Sequence, residues 1–184
     1  MKRTILNAAL LAAALAVTPA FAQTATPAAP GDATATMPID KATFLQMTLS
    51  SNEWEIQSSD LAKTKASRED ILQFADMIIK DHTAAAAKLK QTLETKEGGP
   101  EALPPAALTP KHAGMLQQLG AVANGAEFDK LYIDMQVQAH QEAIALFQTY
   151  ASSGDDKALV GFASETLPTL ETHLAHAKKL MGSN

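Results

Sequence analysis

Apolar residues recur along most of this chain at intervals of three and four, the repeat that lines side chains along one stripe of an α-helix. Between Glu127 and Ala151, Ile133, Val137, His140, Ile144 and Phe147 step by four, three, four and three. Four of these five are apolar, and the fifth, in the middle, is a histidine. Ser67-Arg68-Glu69-Asp70 looks like a capping box with Asp in place of Glu. From there Ile71, Ala75, Ile78, His82, Ala85 or Ala86, Leu89 and Leu93 make a second stripe, ended by Gly98-Gly99-Pro100. Asp155 or Asp156 caps a last helix whose stripe is Leu159, Ala163, Thr166, Leu170, His173, Ala177 and Leu180. Pro168 lies inside it and predicts a kink, because proline removes a backbone donor and crowds the preceding turn. Asp40 caps a first helix that runs to about Ala66. Its stripe is more polar: Leu45, Leu49, Asn52, Ile56 and Ser59, with Trp54 off the line and Glu55 at its margin. After a Pro-rich loop, Thr109-Pro110 opens a short helix that ends before Asn124-Gly125 and carries His112 in an exposed first turn. These elements predict an all-α fold, a ferritin-like four-helix bundle with a short connecting helix, over residues 40–184.

Ahead of the first stripe the pattern changes. Lys2 and Arg3 precede an apolar run from Ile5 to Val17, and Ala20-Phe21-Ala22 supplies a small-x-small cleavage site. Residues 1–22 therefore read as a signal peptide, too short in its apolar part for a relaxed membrane span of about 20 residues. The expected address is the periplasm. Residues 23–39, rich in Thr, Ala and Pro and without period, read as a disordered linker.

Composition narrows the chemistry. With no cysteine among 184 residues, disulfides, zinc–thiolate sites and thiol catalysis are excluded. The formal net charge is −5, and cleavage after Ala22 would carry off Lys2 and Arg3, leaving −7. An acidic domain with 5% aromatic residues lacks the footprint of a nucleic-acid binder.

What remains is the set of histidines. His82, His140 and His173 sit on three separate core stripes, and the cores of helix bundles are where side-chain metal sites are built. Imidazole suits Zn, Cu, Fe and Ni, and the Glu55 carboxylate would complete a mixed site. At about 1.5 Å per residue, Glu55, His82 and His140 fall about 18–22 Å from the turn near Ser67 whichever way the third long helix runs. His173 falls roughly 6–10 Å out of that layer, and joins it only if its helix is offset. Asp81 is about 100° around the helix from His82, so it suits a histidine of another helix. No Glu-x-x-His occurs, which disfavours a carboxylate-bridged di-iron centre. Asp129 and Asp134 read as surface charges, and Phe128, Tyr132 and Met135 as core packing.

With these residues laid out, the chain resembles domain-of-unknown-function family 4142, a group of exported bacterial proteins. The matching pieces are Asn52-x-x-Glu55-Ile56 with Leu61-Ala62, and Phe74-Ala75-x-Met77-Ile78-x-x-Asp81-His82. Further along come Phe128-Asp129-x-x-Tyr132, Gln136-Val137-x-x-His140 and Leu167-Pro168-x-Leu170-x-x-His173-Leu174. The resemblance implies a ferritin-like bundle, an exported location and, often, description as a membrane or outer-membrane protein, and it implies no reaction; the expected partnership is a peripheral association with the envelope. Its motifs pick out Glu55, His82, His140 and His173. Two functional expectations follow. One is a non-enzymatic stress or interaction module whose inward histidines pair with Glu55 and nearby amides. The other is a bundle that binds a divalent transition metal (Zn, Cu or Fe) through Glu55, His82, His140 and His173.

Overall fold

The computed structural model describes residues 38–183. The expected signal peptide and all but the last two residues of the expected linker lie outside the described residues. Five α-helices follow one another: α1 (Lys41–Lys65), α2 (Glu69–Thr95), α3 (Pro110–Ala121), α4 (Ala126–Ser153) and α5 (Lys157–Met181). No strand occurs among the described residues, and the fold is all-α. No helix among them is long and apolar enough to cross a membrane.

Local chemistry sets most of the helix starts. Asp40 Oδ1 accepts from the Thr43 amide at 2.7 Å, and Asp156 Oδ1 accepts from Ala158 and Leu159, so orphan donors of α1 and α5 are satisfied. Thr109 caps α3, with Pro110 at its first position. The expected capping box at Ser67 does not form. Arg68 occupies the N-cap of α2 without a side-chain cap bond. Ser67 instead donates its amide and hydroxyl to the Asp129 carboxylate at 3.0 and 2.6 Å. Asp129, expected as a surface charge, is thus 2% exposed and holds the α1–α2 turn onto α4. α5 continues through Pro168 as one helix.

Contacts at the ends define the topology. The Gly125 amide donates to the Lys65 carbonyl at 2.8 Å, placing the start of α4 at the end of α1. Lys96 Nζ bridges Asp156 and Glu101, both at 2.8 Å, placing the start of α5 at the end of α2. Helices α2 and α4 therefore run one way and α1 and α5 the other, with one long crossover through residues 96–125. α1 and α5 each pack against both α2 and α4, and α3 lies outside against α1 and α4. Glycine is required at the turns on either side of α4. Gly125 takes φ +95°, and a Cβ on Gly154 would lie 2.6 Å from both the ring and the carbonyl of Tyr150.

The apolar core is divided in two. One cluster gathers Ile71, Phe74, Ile78, Phe128, Tyr132 and Ile133, and the other Phe44, Leu89, Leu93, Phe147, Tyr150 and Phe162. On α2 and α4 the histidines lie between the two clusters in sequence, Ile78–His82–Leu89 and Val137–His140–Ala143. The stripe expected of α1 holds in part: Leu45, Leu49 and Ser59 are buried, while Asn52 and Ile56 are half-exposed. Trp54 and Glu55 are buried as well. The cause is α3, which covers a second face of α1. His112, expected in an exposed turn, is half-buried there, with Nδ1 2.7 Å from Ser50 Oγ and its ring stacked on Trp54 at 6.2 Å between centroids.

Candidate metal centre

Three helices each deliver one imidazole to the gap between the two apolar clusters. His82 comes from α2, His140 from α4 and His173 from α5, and all three are buried, at 7%, 0% and 1% exposure. Ring centroids are 5.8 Å apart for His82–His140, 5.5 Å for His82–His173 and 5.3 Å for His140–His173. One ring nitrogen of each lies within 4.8 Å of one from each of the others. The displacement expected of His173 is removed by an offset of α5. Arg68, at the α1–α2 turn, reaches the Leu180 carbonyl with its guanidinium at 3.4 Å, so α5 stops an arginine's length short of that end.

Hydrogen bonding on the outer edge of each ring fixes its tautomer. His140 Nδ1–H donates to the Gln136 carbonyl at 2.9 Å, one turn back on α4. His82 Nδ1–H donates to Asn52 Oδ1 on α1 at 3.0 Å. His173 Nε2–H donates to Asp81 Oδ2 on α2 at 3.0 Å. Asp81 thus serves a histidine of another helix, as the angular argument requires. Each ring is left with one lone-pair nitrogen: His82 Nε2, His140 Nε2 and His173 Nδ1. All three are buried without a hydrogen-bond partner among the described residues. Buried polar atoms are almost always satisfied, so three orphans in one cluster call for an explanation.

Electrostatics agrees with neutral forms of His82 and His173. Burial, and then the neighbouring His140 and His173, push the His82 pKa well below the usual histidine value. Burial likewise lowers that of His173, against the opposing pull of Asp81. Neutral imidazoles with one nitrogen protonated outward and one lone pair inward are the form that binds a metal.

Glu55 is 1% exposed but stands one ring back from the cluster. Its Oε1 is 3.5 Å from His140 Nδ1, the edge turned away from the orphan nitrogen, and its Oε2 accepts from Gln136 Nε2 at 2.7 Å. Burial raises its pKa, opposed by His140 and by the Gln136 hydrogen bond. The structure therefore brings three of the four expected residues into one cluster and puts Glu55 behind His140. Two participants went unread in the sequence, Gln136 and Thr48. Gln136 stands in the sequence one turn before His140, the spacing that carries its signal. Thr48 Oγ1, buried and also without a partner, gave no sequence signal.

Fold and cluster together define a helical bundle with an inward-facing three-histidine centre. The chain belongs to the family described as Domain of unknown function (DUF4142), which it matches over residues 23–180. No curated protein sequence matches it. Among solved structures it is similar to CopM in the Cu(II)-bound form, with 16% identity, a TM-score of 0.65, and coverage of 80% of this chain and 99% of that one. CopM in the Ag-bound form is also similar, with 16% identity, a TM-score of 0.61, and coverage of 79% of this chain and 97% of that one. At this identity the likeness shows the bundle fold.

Proposed function

We propose that this protein is a non-enzymatic, exported metal-binding bundle that takes up one transition-metal ion, copper before zinc, through His82, His140 and His173. The observation that carries the reading is the set of three orphan lone pairs, His82 Nε2, His140 Nε2 and His173 Nδ1, buried together. Leaving them unmade costs free energy in the empty protein, and a metal ion is the partner that takes three such lone pairs at once. Their outer partners, Asn52, the Gln136 carbonyl and Asp81, each accept one ring N–H and so hold the imidazoles in the orientation that a bound metal needs. Glu55 stands behind His140, on the same edge of the ring as the Gln136 carbonyl.

The choice of copper rests on two supports. Divalent copper stands above zinc in affinity for a nitrogen donor set. The similar bundle CopM has been solved with Cu(II), with Ag and with Cu(I) bound. The leader read in residues 1–22 supports a periplasmic location, where such a bundle would hold metal away from the cytoplasm and associate peripherally with the envelope.

The test is stoichiometry. Mature protein without a histidine tag should bind one copper ion per chain, and the His82→Ala, His140→Ala and His173→Ala variants should each lose it. Wild-type protein that stays metal-free in excess copper, with an unmoved melting temperature, would end this reading. The plain interaction-module reading would then stand alone.

A further inference from the structure

A cavity of about 40 Å³ adjoins the histidine cluster. His82 and His173 line it, and His140 does not. Its walls are mostly apolar, with Leu49, Leu89, Ala143, Phe147, Phe162 and Leu170 drawn from all four long helices. Its more exposed lining, the rim, includes the half-buried Ser51 and Asn52 of α1, Ala85 and Ala86 of α2 and Thr166 of α5, and the exposed Thr169. One buried polar atom in the wall is unaccounted for: Thr48 Oγ1, on a residue 6% exposed, lines the cavity and has no hydrogen-bond partner among the described residues.

We propose that this cavity is a subsite for a small, weakly hydrated inorganic monoanion, bound between the three-histidine centre and the Thr48 hydroxyl. The inference rests on the metal-binding reading and goes beyond it by naming a second ligand. Size sets the first limit. A water needs about 10–15 Å³ of such volume, so the cavity has room for roughly three waters and excludes an organic substrate. Polarity sets the second. Apolar walls offer water too few partners, whereas a ligand with one lone pair for the metal and a terminal acceptor for Thr48 meets both orphan groups. Charge sets the third. A metal cation on three neutral imidazoles attracts an anion more strongly in this buried setting than in water. With three protein donors, the centre leaves a fourth position to be filled, the condition under which such centres take exogenous ligands.

Azide is the probe. Cu(II)-loaded mature protein, with its copper content measured first, is titrated with azide and followed by the azide-to-copper charge-transfer absorption and by electron paramagnetic resonance. One azide per copper is expected in the wild type. Thr48→Val, which keeps the shape and removes the donor, should weaken azide about tenfold at unchanged copper affinity. Thr48→Ser should restore it. Ala85→Leu, which fills the rim, should abolish the azide response while copper still binds, with folding checked by circular dichroism. A copper signal that ignores saturating azide overturns the proposal, and so does azide binding that none of the variants alters. Failure of the metal reading is seen separately, as absence of copper before any azide is added, and it removes this subsite as well.

Discussion

His140 shows how little of a residue's role lies in its own side chain. On the sequence it is a histidine in an apolar stripe; in the structure its Nδ1–H donates to the Gln136 carbonyl, and its Nε2 is buried without a partner. Asp81 does the same for His173 from another helix. Replacing Asp81 with Asn should keep the shape but weaken the hold on the tautomer, and we expect metal affinity to fall about 10–100-fold. Competition against a chelator measures this, and an unchanged affinity would make Asp81 a bystander. Asp129 makes a second residue-scale prediction. Its carboxylate receives the Ser67 amide and hydroxyl at the α1–α2 turn, so Asp129→Ala should cost about 1–3 kcal/mol in urea unfolding. A surface charge, which is how Asp129 reads in sequence, would cost almost nothing.

At the scale of elements, α2 and α5 present the stripes that their spacing predicts, because each buries one side against α1 or α4 and leaves the other to solvent. α1 does so only in part. It carries the bundle on one side and α3 on another, so Trp54 is fully buried on a face that a single stripe cannot reveal. Trp54→Ala should therefore cost about 3–5 kcal/mol, as for a large aromatic removed from a core. It should also loosen α3, which hydrogen exchange on the Pro110–Ala121 amides would detect. If those amides exchange no faster than in the wild type, α3 is held by its remaining contacts. The offset of α5 belongs to this scale too. Spacing along one helix places His173 within that helix, but only the packing of α5 against α2 and α4 places it in the common layer.

For the molecule as a whole, the buried titratable layer makes stability depend on pH. The folded-state pKa values of His82 and His173 are lowered, so below the usual value of 6.5 the unfolded chain takes up protons that the folded one refuses. Their contribution is intact above about pH 6.5 and is lost as pH falls below it. Glu55 acts in the opposite sense. Its raised pKa costs stability above the usual value of 4.5, and acid relieves that cost. Metal-free protein should melt at a lower temperature at pH 5 than at pH 7.5, and Glu55→Gln should make the fall steeper by removing the relief. A flat profile would mean that His82 and His173 charge inside the fold without penalty. Binding to the folded state alone should add about 4 kcal/mol at a metal concentration 1,000 times Kd, read as a higher melting temperature at fixed protein concentration.

The all-α class, the helix spans to within a few residues and the inward histidines were legible in the chain, because a 3.6-residue helix turns spacing directly into direction. So were the motifs of the family to which the chain belongs. Which rings meet was not legible, nor that Glu55 stands behind His140 rather than beside it, nor that Thr48 faces a cavity. Those relations depend on the offset and rotation of one helix against another. They are set by side chains far apart in sequence, such as Arg68 against Leu180 and Trp54 against α3, and only the packed bundle brings those together.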